Sequence, residues 1–333
     1  MTSIKMASDQ PKVNIFMQEK ENQQRSYDVI NGLITKILST VGSSLTNAGM
    51  IPETVHSMID SLNMEQVKIE SLKTTLIRKR MKVPIFGPTS SGKSMVINAM
   101  VGKELLPSSM GHTTNCFLQI EEARDDDAAC DPNVPREGAR LPSFSEVGSH
   151  FIIRRSQFAT ESTTNAAMSY EENSIIPLDI PLLHDLSDAK ADQPLDICRY
   201  VEIFLAKDDH KCPLLTHFLQ ILDCPGISMC REMGDKVKAF CEDADVHVLI
   251  VNTMSGISAE TKEHFLKVKE RLPNPDIIIG FTVWDMVDYE RPERKEKVKR
   301  GHLTDAFELL KSTGTVSTME EAKERCFFIS GRE

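Results

Sequence analysis

The sequence predicts an α/β domain on a central, mostly parallel sheet, preceded by α-helical segments. Three observations carry the prediction. From Met81 onward, short β-rich runs alternate with helical stretches, the pattern of a doubly wound sheet. Runs such as VLIV at 248–251 and IIIGF at 277–281 are apolar without a break, as strands buried on both faces are. The octapeptide GPTSSGKS at 87–94 falls between the first such strand and the first such helix.

The elements follow in order. The chain has 333 residues, enough for two domains or for one large domain with an appendage. Residues 1–25 are polar and are expected to be disordered. Tyr27, Ile30, Ile34, Ile37, Val41 and Leu45 then recur at the helical period. Ser43, Ser44 and Asn47–Gly49 break that helix, and Pro52 opens a second one carrying Val55, Met58, Ile59 and Leu62. A third helix is expected from about Met64 to Arg80, so residues 26–80 read as incomplete segments of a helical bundle. Residues 81–333 form the α/β domain. Its expected strands are Val83–Phe86, Cys116–Ile120, Tyr200–Leu205, Phe218–Leu222, Val246–Val251, Ile277–Phe281 and Phe327–Ile329. Its expected helices are Lys93–Val101, Lys236–Glu242, Glu260–Arg271 and Glu293–Ser312. Two stretches, 121–142 and 156–198, lack a clear period and are expected to be insertions.

Composition narrows the classes. Lys and Arg number 39 against 49 Asp and Glu, a net charge of −10, which opposes nucleic-acid binding through a basic face. No apolar run approaches the ~20 residues of a membrane span, and the first residues lack the apolar core of a secretion signal. The eight cysteines show no C-x-x-C spacing and read as reduced thiols in a cytosolic environment.

The chemistry begins at Gly87, Pro88, Thr89, Ser90, Ser91, Gly92, Lys93 and Ser94, which match G-x-x-x-x-G-K-[ST]. Glycines let successive N–H groups turn inward around phosphate, and the following helix adds its positive N-terminal dipole. Lys93 is placed to reach β- and γ-phosphates, and the Ser94 hydroxyl to ligate Mg²⁺. Pro84 is unusual inside the preceding strand: either the strand starts after it or the sheet bulges there. Pro88 removes one possible donor from the loop.

Later stations select the nucleotide. Asp223-Cys-Pro-Gly226 closes a strand, where the carboxylate holds Mg²⁺ and the glycine lets backbone approach the γ-phosphate. Gly111-His-Thr-Thr-Asn115 offers a threonine that can ligate Mg²⁺; a polar turn is the plainer reading. Thr282-Val-Trp-Asp285 stands where guanine-reading proteins carry N-K-x-D, and its carboxylate can accept from the two guanine N–H groups that adenine lacks. Trp284, the one Trp of the chain, reads as core or as an exposed aromatic surface beside the base. Ser330 and Arg332 follow the last strand, at the position of a second base contact. Four stations in this order favour GTP over ATP.

These residues, GPTSSGKSMVINAM and LLPSSMGHTTNCFLQIE above all, resemble the mitofusin/fuzzy onions branch of the dynamin-like GTPases. DCPG, the Trp-Asp station and FFISGRE extend the resemblance over about residues 27–333. It implies a dynamin-type G domain with a P-loop GTPase fold, Mg²⁺-dependent GTP hydrolysis, and pairing of G domains with a second copy or a related GTPase. It also implies tethering and fusion at the cytosolic face of the mitochondrial outer membrane. Carried over residue by residue, Lys93, Thr114 and Gly226 serve hydrolysis, and Ser94, Thr114 and Asp223 the metal. Asp285 reads the base, and His112 positions water or γ-phosphate unless it is simply a hydrogen-bonded loop residue. The family commonly reads N-R-W-D where this chain has TVWD, and often has Arg at the position of Pro88. Its membrane spans and distal coiled coil lie beyond residue 333, which implies a truncated form. The alternatives are a nucleotide-binding interaction module with little turnover and, more remotely, an ATP-using P-loop protein.

Overall fold

The computed structural model describes residues 10–45, 53–77, 80–108, 116–124, 148–155, 172–188, 190–191, 194–195, 199–226, 240–241, 244–259, 261–263, 265–266, 276–287 and 289–330. The chain divides into two compact units, Met1–Arg80 and Met81–Glu333.

The described residues of the first unit form two helices, α1 (Gln10–Leu45) and α2 (Glu53–Ile77). Two expectations are corrected here. Residues 10–25 are helical rather than disordered: the run is rich in Gln, Glu and Lys, good helix formers, and Arg25 pairs with Glu21 at 3.7 Å one turn away. The second and third expected helices are one, because Asn63 between them is neither Pro nor Gly and does not stop a helix. Ile34 and Ile69 are buried, and Gln66 Nε2 donates to Thr35 Oγ1 at 3.1 Å to tie α1 to α2. Ile30, Leu33 and Ile37 on α1, and Met58 and Val67 on α2, remain exposed.

The second unit is a nine-stranded sheet: β1 (Met81–Phe86), β2 (Phe117–Glu122), β3 (His150–Arg155), β4 (Ile175–Pro177), β5 (Arg199–Leu205), β6 (Leu219–Asp223), β7 (His247–Asn252), β8 (Ile277–Thr282) and β9 (Cys326–Phe328). The spatial order is β4-β3-β5-β2-β6-β1-β7-β8-β9. β6-β1-β7-β8-β9 is parallel throughout, β2 pairs parallel with β5, and the antiparallel pairs are β2–β6, β3–β5 and β3–β4. Helices α3 (Lys93–Val101), α4 (Ile180–Ser187), α5 (Pro292–Ser312) and α6 (Met319–Glu324) are among the described elements.

Alternation along the strands builds two cores. Ile85, Ile120, Ile203, Ile221 and Ile250 pack with Ile97 and Val101 of α3 on one face. Phe86, Leu222, Leu249, Val251, Ile279 and Phe281 pack with Leu303, Ala306, Leu309 and Leu310 of α5 on the other. Pro84 lies inside the strand. Lys82, two residues earlier, turns its carbonyl toward the β7 side, where it accepts from Asp245 N at 3.0 Å. Of β1, only Ile85 and Phe86 pair with β7, so Pro84 stands where that ladder has not begun.

The expected insertion 156–198 is corrected in part: its described residues include β4 and α4, the latter capped by Asp179, whose carboxylate accepts from Leu182 N at 3.2 Å. Strand β3 was not foreseen. The other insertion begins after β2, which runs to Glu122, and residues 125–142 lie outside the described residues.

Candidate functional site

β1 ends at Phe86, and the chain turns through Gly87–Gly92 into α3. Gly87 is required by close approach: a Cβ there would collide with the Ile250 carbonyl of β7 and lie 2.6 Å from Ser91 Oγ. Ser90 (φ +61°) and Gly92 (φ +91°) take left-handed conformations that curl the loop over the start of α3. Lys93 is buried inside this curl, its Nζ donating to the Gly87 and Pro88 carbonyls, each at 3.1 Å. Pro88 thus supplies an acceptor where it lacks a donor; its carbonyl also takes the Ser91 N–H at 3.2 Å. Burial pushes the Lys93 ammonium below its usual range, and the nearby Asp223 carboxylate opposes that shift.

Register brings Asp223 to the loop. β6 pairs beside β1 with Asp223 opposite Ile85, and Ser94 Oγ donates to Asp223 Oδ2 at 3.2 Å. Asp223 is fully buried, and burial pushes its carboxyl up to about 6 against the pull of Lys93 and Ser94. Its Oδ1 is buried with no hydrogen-bond partner. Three residues on, Gly226 lies against the loop: a Cβ there would collide with the Thr89 hydroxyl and sit 3.1 Å from Thr89 N.

The base station follows β8. Thr282 is buried, and its hydroxyl donates to the Ser91 carbonyl at 2.6 Å, with the Val251 carbonyl 3.2 Å away. Its own carbonyl accepts from Thr253 Oγ1 at 2.6 Å and from Thr253 N at 3.1 Å. Val283 is forced to φ +58°, costly for a β-branched residue, and opens the short 3₁₀ turn Trp284–Met286. Trp284 is buried, as the core alternative of its two readings has it and the exposed-surface alternative does not. Its ring packs 4.4 Å from Phe328, and its backbone N–H donates to the Ile329 carbonyl at 3.1 Å. Asp285 is half-buried on the same turn, and exposed Ser330 follows Ile329.

The family model described as Dynamin family matches residues 83–280, more than half of the chain. The chain belongs to the dynamin family. It is similar to Mitofusin-2 of Homo sapiens, 32% identical over 311 residues, covering 91% of this chain and 36% of that protein. It is also similar to the Transmembrane GTPase Marf of Drosophila melanogaster, 28% identical over 327 residues, covering 98% of this chain and 35% of the relative. The Transmembrane GTPase fzo-1 of Caenorhabditis elegans is 32% identical over 272 residues, 80% of this chain and 30% of its own length. The chain therefore spans about a third of the length of the curated relatives it matches. Among its described residues no helix is long and apolar enough to cross a membrane.

In this dynamin-family domain the loop residues 87–94, Asp223, Gly226 and Thr282 converge at the carboxyl ends of β1, β6 and β8. His112, Thr114 and Arg332 lie outside the described residues. Thr282 reaches the phosphate loop through its hydroxyl rather than presenting it toward a base. Thr253, which locks Thr282 from the end of β7, was missed; only the β7–β8 register, with Asn252 beside Thr282, brings it there. Among the described residues no three or more His, Cys, Asp or Glu side chains cluster as if to hold a metal. The free Oδ1 of Asp223 beside the Ser94 hydroxyl does suit a cation that takes its remaining ligands from phosphate and water.

Proposed function

We propose that this chain binds GTP with Mg²⁺ and hydrolyses it, as a mitofusin-type member of the dynamin family that pairs G domains in tethering and fusing mitochondrial outer membranes. The observation that carries the reading is the meeting of Lys93 and Ser94, at the curled loop, with Asp223 at the end of β6. Lys93 and the N–H groups at the start of α3 face the β- and γ-phosphates. Asp285 accepts from the guanine N–H pair. Water attacks the γ-phosphorus, the bond to the β–γ bridging oxygen breaks, and the charge growing on that oxygen is met by Lys93 and the loop donors. Ser94 and Asp223, with Thr114 by resemblance, would hold the Mg²⁺, which supplies charge neutralisation to the phosphate oxygens. His112 positions the attacking water by the same resemblance, and Gly226 lets its backbone approach and leave the γ-phosphate.

Isothermal titration of GTP, GDP and ATP with Mg²⁺ tests this directly. GTP and GDP should bind more tightly than ATP, and Lys93→Ala should abolish binding. Unchanged GTP affinity in that variant defeats the phosphate-loop assignment, and a preference for ATP defeats the role of Asp285. A mitochondrial network left intact when the protein is removed from cells defeats the membrane role.

A second reading, a nucleotide-binding module with little turnover that pairs with another G domain, is favoured by one observation: the Thr282 hydroxyl is committed to Ser91, and Val283 offers no polar group to the base. Single-turnover hydrolysis measured against protein concentration separates the two. A rate per molecule that rises with concentration indicates dimer-activated hydrolysis, and no hydrolysis at any concentration indicates the module.

A further inference from the structure

Cys224 follows Asp223 directly and precedes Pro225-Gly226. Its sulfur lies 3.8 Å from the sulfur of Cys241, and both side chains are buried in the apolar cluster with Phe86, Phe117, Leu222 and Leu249. Cys116, Cys212 and Cys326 are also buried, and none of them is in a disulfide.

The backbone around the pair is anchored on both sides. Cys224 N donates to the Ile85 carbonyl at 3.3 Å, and the Cys241 carbonyl accepts from Ala244 N at 3.0 Å. Two sulfurs already in contact need to approach by less than ~2 Å to reach a bonded separation of ~2.05 Å, within reach of side-chain rotation. Both are sealed from solvent, so an oxidant enters only when the chain around them opens. In nucleotide hydrolases the stretch after the metal-binding aspartate is a part that opens and closes with the γ-phosphate.

We infer that Cys224 and Cys241 form a reversible disulfide that pins the segment following Asp223 and restrains Gly226 against the phosphate loop, suppressing nucleotide turnover. The regulatory half rests on the GTPase reading above; the bond itself does not. A small disulfide such as oxidised glutathione is the oxidant. One cysteine attacks it to give a mixed disulfide and one glutathione, and the second cysteine then displaces the other glutathione. Two protein S–H bonds and one glutathione S–S bond break, one protein S–S bond forms, and two electrons and two protons leave with two glutathione thiols.

The test uses the full chain incubated with oxidised glutathione, quenched by alkylation and mapped without reduction. A tryptic peptide pair joining Cys224 to Cys241 is expected. It should be absent from Cys241→Ala and kept in Cys212→Ala and in Cys230→Ala, which control for the other two cysteines of the tryptic peptide 212–231. GTP turnover of the oxidised protein should fall by about tenfold or more, return with dithiothreitol, and be untouched by oxidant in Cys241→Ala. Absence of the joined peptides, under conditions that cross-link the unfolded chain, overturns the inference. So does a joined pair with unaltered turnover in protein that hydrolyses GTP when reduced. If the reduced protein binds no GTP in the titration, the GTPase reading fails while the peptide map still decides the disulfide.

Discussion

Thr282 shows how a hydroxyl at a base-reading position is committed to another task. It stands where a guanine-reading asparagine is usual, yet it staples the Ser91 carbonyl of the phosphate loop to the end of β8. Thr282→Val keeps the shape and removes the donor, leaving a buried carbonyl short of a partner. GTP affinity should fall about five- to twentyfold, the equivalent of about 1–2 kcal/mol, while Thr282→Ser should hold close to the parent; titration of both variants decides. Asp223 makes the second prediction at this scale. Its folded carboxyl titrates at about 6, above the ordinary value of 3.8. A raised carboxylate contributes stability that is present below the unfolded value and lost as pH climbs through the folded one. The nucleotide-free protein should therefore lose stability between pH 4 and 6 relative to Asp223→Asn, by up to about 3 kcal/mol at about 1.4 kcal/mol per pH unit. Denaturant melts of both proteins across that window measure it. Mg²⁺-dependent GTP binding should move the other way, strengthening as pH rises through about 6 and the carboxylate ionises.

At the scale of elements, legibility followed the strength of each local signal. α3 was readable to its ends because Gly92 and Gly102 both take left-handed conformations at its caps. β7 and β8 were readable because burial on both faces writes an unbroken apolar run. β3 was not, since HFIIRR holds only three consecutive apolar residues between charged or ionisable ones and its Arg154 is buried against Glu202 at 2.8 Å. β4 was not, because it is three residues long and ends in proline at the edge of the sheet. The capping box at Thr318 and Glu321 announces α6 in the sequence and was overlooked. The phosphate loop and Asp223 were legible because their chemistry is contiguous or fixed to a strand end. The commitment of Thr282 was not, because it is settled by packing of β8 against a loop 191 residues away. The turn after β8 carries a further consequence. Val283 at φ +58° bears a left-handed backbone that costs a β-branched residue about 1–2 kcal/mol. Val283→Asn, which adopts that region more readily, should raise the midpoint of thermal unfolding, by an amount equivalent to about 1 kcal/mol. An unchanged or lowered midpoint in calorimetry would show that the Val283 side chain contributes more by packing than its backbone costs.

Across the whole molecule, the described buried apolar side chains are unequally distributed between the two units. Among the described residues, the two cores of the sheet are built from residues at or beyond Ile85. The helical unit buries Ile34 and Ile69 while Ile30, Leu33, Ile37, Met58 and Val67 face solvent. Among the described residues, only the sheet carries an extended apolar core. A chain beginning at Met81 should therefore unfold in one cooperative transition within a few degrees of the full chain and bind GTP within about threefold of its affinity, a shift of under 1 kcal/mol. Residues 1–80 alone should melt gradually, without a calorimetric peak. A fragment 81–333 that fails to fold, or a sharp transition from residues 1–80, would mean that stability is distributed otherwise.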